Sequence, residues 1–102
     1  MTSLEDVAET AVHAGSRYLD QHSFGNWREQ VDIEKLRMAG RTNCVLAQLY
    51  GNYRAGLTAL NLTHAEAFHL GFRASHEICL AQNHRKYYRA LGLSWRKIIL
   101  VA

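Results

Sequence analysis

The 102-residue chain contains no proline. With seven glycines as its main punctuation, it favours helices interrupted at glycine over a β-sandwich, whose many turns draw on both residues. Cysteine is scarce. Cys44 and Cys79 are the only two, too few for a disulfide framework. Both sit in apolar, helix-like surroundings and read as buried thiols in a reducing cytosol. Long apolar runs are missing too. None approaches the roughly 18 residues that a membrane span needs, and the acidic start Met1–Asp6 does not resemble a signal peptide. There is no glycine-rich phosphate loop. No two segments alternate apolar and polar residues well enough to pair as strands. What remains is a single all-α domain of four to five helices. It is large enough to bury a core unaided, with no cofactor and no membrane partner expected.

Apolar residues make up 48% of the chain and recur with a helical period. Ser3 with Asp6 reads as a capping box. Behind it Leu4, Val7, Ala8, Ala11, Ala14 or Gly15, and Tyr18 repeat at three and four, which predicts an amphipathic helix over about Leu4–His22. Ser23–Asn26 stops it. From Trp27 to Met38, Val31 and Ile33 alternate with Asp32 and Glu34. A lone strand would have no partner, so a short helix or 3₁₀ turn is expected. Asn43 is the expected cap of the next helix. The stretch Cys44–Phe72 has the clearest periodicity and reads as the heart of the core. Gly51-Asn52 is expected to split it, and Thr63 with Glu66 to open a short helix that Gly71 closes. Asn83 is the expected cap of the last helix. There Tyr88, Leu91, Trp95, Ile98 and Ala102 form the predicted buried seam, with Trp95 its anchor.

Trp27, Val31-Asp32-Ile33-Glu34-Lys35-Leu36-Arg37-Met38, Cys44-Val45-Leu46-Ala47-Gln48-Leu49-Tyr50-Gly51, Tyr53, Gly56-Leu57, Leu60 and Gly71-Phe72 resemble a group of short uncharacterised proteins encoded by actinobacterial phages and prophages. That group is similar in a W-x-I/V-D-L-L-M lead-in, a C-V-L-x-Q-L-x-G-x-Y block and a late Tyr…Trp-Arg segment, here Tyr88 and Trp95-Arg96. The likeness runs from Trp27 to Ile99. The chain departs from the pattern at Arg73–Gln82, which is longer and more apolar. The resemblance implies a bacterial host cytoplasm and no catalytic residues.

Charge is unevenly spread. Residues 1–40 hold four basic and seven acidic side chains, whereas residues 73–102 hold six basic and one acidic. At about 100° per residue, Arg85, Arg89 and Arg96 fall on one stripe of the last helix. Lys86 and Lys97 lie further round, and Leu93 and Leu100 lie within the same arc. Apolar side chains among cations suit a protein interface. The expected partner surface is therefore Arg85, Lys86, Arg89, Leu93, Arg96 and Lys97, and the expected partner is a host protein with an acidic face. The same stripe could be a solvated helix face, and self-association stays open. The alternative of another class is a nucleic-acid-binding protein of helix-turn-helix type. Leu60–Ala67 looks like the start of a recognition helix, but His64, Glu66 and His69 are poor base readers.

His76, Cys79 and His84 have partial zinc-ligand spacing without a second half-site, so no metal is expected. Cys44 lies in an apolar block, where a thiolate is disfavoured. No paired carboxylates suggest a pocket, and the chain reads as non-enzymatic.

Overall fold

The computed structural model describes residues 3–40, 42–75, 78 and 83–101. Among them the protein is all-α, with six helices: α1 (Leu4–His22), α2 (Trp27–Gln30), α3 (Val45–Tyr50), α4 (Tyr53–Leu60), α5 (His64–His69) and α6 (His84–Val101). That is one more than expected. Trp27–Gln30 forms its own short turn of helix, and Gly51-Asn52 divides α3 from α4.

Local chemistry sets most helix ends. The Ser3 hydroxyl accepts from the Asp6 N–H at 3.1 Å, and α1 runs over the span its periodicity predicted. Gly51 ends α3 at φ 98°, a conformation that costs glycine nothing. Asn52 then caps α4, its side chain accepting from Ala55 N–H at 2.7 Å. At α5 both halves of the Thr63–Glu66 capping box form. Its far end is a Schellman motif, with Phe72 N–H on the Ala67 carbonyl and Gly71 N–H on the Phe68 carbonyl.

One cap differs from expectation. Asn43 does not cap α3. Its carbonyl accepts from Arg37 N–H at 3.1 Å and from the Gln48 side chain at 3.1 Å. Cys44 takes the cap position, with Sγ accepting from Ala47 N–H at 3.4 Å. A cap side chain must reach the third N–H beyond it, and the 31–43 loop holds Asn43 one residue too early.

The framework is the pair α1 and α6. Glu5 meets Lys86 and Gly15 meets Trp95, so the first and last helices run parallel. Cys44–Phe72, expected at the centre, instead wraps this pair in three short helices. It still supplies much of the core, including Val45, Leu46, Leu57, Leu60 and Phe72. The Tyr18 hydroxyl donates to the Leu60 carbonyl at 2.9 Å and ties α1 to the end of α4.

The two tryptophans meet in the middle, both fully buried. Their rings are edge-on at 5.9 Å, and Phe72 stacks on Trp95 at 5.5 Å. Among the described residues, the turns between Val31 and Asn43 contain no strand. They are held by the Gln48 side chain, which accepts from Asp32 N–H and donates to the Asp32 carbonyl.

The Trp27 indole N–H donates to Asp20 at 2.8 Å, and Arg28 donates to the same carboxylate at 2.7 Å. The Arg28 bond first, then the Trp27 bond, holds the Asp20 carboxyl below its ordinary range. A group whose pKa is depressed by folding stabilises above its unfolded value, near 4, and loses that contribution as pH falls through the folded value. Wild type is therefore expected to lose melting temperature below about pH 4 more steeply than Asp20→Asn, whose side chain cannot titrate. Parallel melting curves from pH 6 to pH 2 would sink the assignment.

Candidate functional site

The candidate surface is the outward side of α6. Its inward side is centred on Tyr87, Leu91, Trp95 and Ile99, all buried. Leu91 and Trp95 lie where expected. Tyr88 and Ile98 are only half-buried at the flanks, and Ala102 lies outside the described residues. The central buried side chains step by four from Tyr87 to Ile99, with Tyr87 rather than Tyr88 under full cover. Phe68 lies 6.0 Å from the Tyr87 ring. Burial pushes the Tyr87 phenol up to about 12, and its hydroxyl has no hydrogen-bond partner among the described residues.

Of the expected partner residues, Arg85, Lys86, Arg89, Leu93 and Lys97 are exposed together. Arg85, Arg89 and Lys97 make no ion pair among the described residues. Lys86 lies 4.0 Å from Glu5, with both side chains largely in water, a pairing worth little. Arg96 differs from the others. It is half-buried, and its guanidinium donates to the carbonyls of Leu36 at 2.9 Å and Ile33 at 3.4 Å. It ties the 31–40 loop to α6.

The apolar component is larger than the sequence suggested. Leu93, Leu100 and Val101 are 60%, 70% and 82% exposed. Beside them a groove of about 810 Å³ runs between α1 and α6, lined by Glu9, His13, Arg28, Leu93, Lys97 and Val101 among others. Leu93 and Leu100 were legible as apolar positions within a basic arc. The α1 wall was not, because it depends on the parallel packing of two helices about eighty residues apart.

Helix α5 has only six residues. Glu66 is occupied by its capping box, and the bonds to Thr63 pull its carboxyl below the ordinary range. His64 Nδ1 lies 2.7 Å from Arg73 Nη1, and its ring stacks on Tyr53 at 5.9 Å. Two of the three side chains that would face bases are thus engaged at home. His76 and Cys79 lie outside the described residues, as does most of Arg73–Gln82. No group of three potential metal ligands comes together among the described residues. Cys44 is buried, and desolvation pushes its thiol up, away from the nucleophilic thiolate. No described helix is long and apolar enough to cross a membrane.

No protein-family model, curated protein or solved structure matches the chain.

Proposed function

We propose that this protein is a non-catalytic binding protein that docks on an acidic surface of a host protein through the outward side of α6. One observation carries the reading: Arg85, Arg89 and Lys97 make no ion pair among the described residues and lie on the same side as exposed Leu93 and Leu100. Cations at a rim steer a partner of opposite charge. Apolar side chains at the centre supply the area that excludes water. The resemblance to short phage and prophage proteins supports a setting in the cytoplasm of an actinobacterial host, where such an accessory protein would meet its target.

Arg85→Glu with Arg89→Glu is the test. Both residues are exposed, so stability should move by no more than about 1 kcal/mol. Capture of the partner from host lysate should fall by at least about tenfold, because like charges would then face each other. A variant that melts as wild type and captures the partner equally well would reduce this face to solvated helix. Nuclease treatment and a salt series separate the alternative of nucleic-acid binding. A protein that neutralises several phosphates loses orders of magnitude in affinity between low and moderate salt, and capture that vanishes with nuclease would replace the proposal by that alternative.

A further inference from the structure

A second concavity lies away from the α1–α6 groove. It opens between the 38–44 loop, the start of α4 and the Tyr88 side of α6, with a volume of about 680 Å³. Its lining combines three chemistries. Phe72 and Met38 are buried apolar residues at its base. Tyr53 and Tyr88, both half-buried, supply aromatic surface. Arg54 and Arg73 supply positive charge, and the described lining holds no carboxylate to neutralise it.

The aromatic and cationic groups are set in place by their neighbours. Arg73 donates through Nε to the Ala74 carbonyl at 3.1 Å, and its Nη1 meets His64 Nδ1 at 2.7 Å. A guanidinium can only donate, so that ring nitrogen is the acceptor and the imidazole proton sits on Nε2. His64 in turn stacks on Tyr53 with an interplanar angle of 17°. One chain of contacts thus fixes both a tyrosine wall and an arginine. Arg54 is different. It is exposed, and its guanidinium makes no ion pair among the described residues. The backbone adds to the positive potential. Asn52 takes the Ala55 and Gly56 N–H groups, which leaves those of Tyr53 and Arg54 without an intrahelical acceptor at the positive end of α4. Burial raises the Tyr53 phenol, against the pull of Arg73, as expected of a tyrosine lining a partly desolvated recess.

An apolar base, aromatic walls and unneutralised guanidinium groups select a planar ring carrying a negative charge. We propose that this cleft binds a nucleoside phosphate, its base against Tyr53 and Tyr88 over Phe72 and its phosphate against Arg54, Arg73 and the first turn of α4. The same chemistry is offered by a free mononucleotide and by the phosphorylated end of a single strand. The outward face of α6 proposed for a partner protein takes no part in this cleft.

The test is titration calorimetry with the four nucleoside 5′-monophosphates, with adenosine and inorganic phosphate as half-ligands. At least one monophosphate should bind saturably; inorganic phosphate should bind at least about tenfold more weakly than that monophosphate, and adenosine at least about tenfold more weakly than adenosine monophosphate. Arg54→Glu, which changes an exposed side chain, should weaken binding by about tenfold or more with an unchanged melting temperature. Tyr88→Ala should weaken it comparably, and if that variant does not fold, Arg54→Glu carries the test. A 5′-phosphorylated strand of about eight nucleotides distinguishes the sources. Much tighter binding than the mononucleotide assigns the cleft to a strand end, and equal binding assigns it to the free nucleotide. No saturable binding of any monophosphate or of the strand up to about 5 mM would overturn the proposal. So would affinity that Arg54→Glu leaves unchanged.

Discussion

Trp95→Ala is expected to leave the protein unfolded or molten at room temperature. Trp95 is completely buried. It stacks on Phe72, meets Trp27 edge-on and packs beside Gly15. Truncating a buried tryptophan typically costs about 3–5 kcal/mol in lost contacts and residual cavity. The indole N–H also donates to the Gly71 carbonyl at 2.7 Å in the interior. Orphaning that carbonyl adds about 1–3 kcal/mol. A domain of this size has about 5–15 kcal/mol in all, so a combined cost of about 4–8 kcal/mol takes a large share of it and exceeds the lower end. Trp95→Phe keeps a six-membered ring but loses the donor and part of the volume, and should fold with a melting temperature between the two. Near-ultraviolet circular dichroism and a thermal melt check both variants. A wild-type melt for Trp95→Ala would place the ring outside the core.

The second large effect is expected from the smallest change. Gly15→Ala lies in the interior of α1, where alanine is normally the better helix former by about 1 kcal/mol. Here the sign should reverse. A Cβ at Gly15 would run into the Leu70 carbonyl and come to 3.1 Å from the Trp95 ring. The obstacle is backbone, and it cannot swing aside. It is also held in place, because Leu70 and Gly71 form the end of the Schellman motif. Gly71 stands at φ 76°, and any Cβ there would fall 2.8 Å from the Val12 nitrogen. Three elements therefore meet at van der Waals contact through two glycines and one indole. Separating them should cost at least about 1–3 kcal/mol, which for a domain near this size lowers the melting temperature by roughly 4–8 °C per kcal/mol. Gly25→Ala is the control, since a Cβ there meets nothing within 4 Å. If Gly15→Ala melts at or above wild type, α1 and the end of α5 do not touch as described.

Much of the local structure was legible because it is written in side chains that bond to backbone a few residues away. Ser3, Asn52 and Thr63 each cap a helix by accepting from the third N–H ahead. Gly51 and Gly71 end helices at positive φ. Such contacts need only the chain's own geometry, so spacing alone predicts them. The same holds for the all-α class, since periodicity and the want of any pairing segment require nothing beyond neighbours in sequence.

Where cap chemistry was weak, spacing misled. Asn43 is the better capping residue, yet Cys44 occupies the cap, because loop contacts through Arg37 and Gln48 claim the Asn43 carbonyl. The basic stripe on α6 shows the same limit. Helical period put Arg85, Arg89 and Arg96 on one arc. It could not show that the 31–40 loop passes beside Arg96 and takes its donors, nor that Tyr87 rather than Tyr88 faces inward.

From residue order alone came the helical class, the ends of α1, the break at Gly51-Asn52, the α5 capping box and a basic, leucine-bearing last helix. Tertiary structure decided the parallel pairing of α1 with α6, the Gly15–Gly71–Trp95 junction, the diversion of Arg96, the α1 wall of the groove and the Tyr53–His64–Arg73 arrangement. The division follows contact distance along the chain. A cap or a helix break is settled within about four residues, whereas Gly15 and Trp95 meet across eighty, and only the packing of every element between them fixes which faces touch.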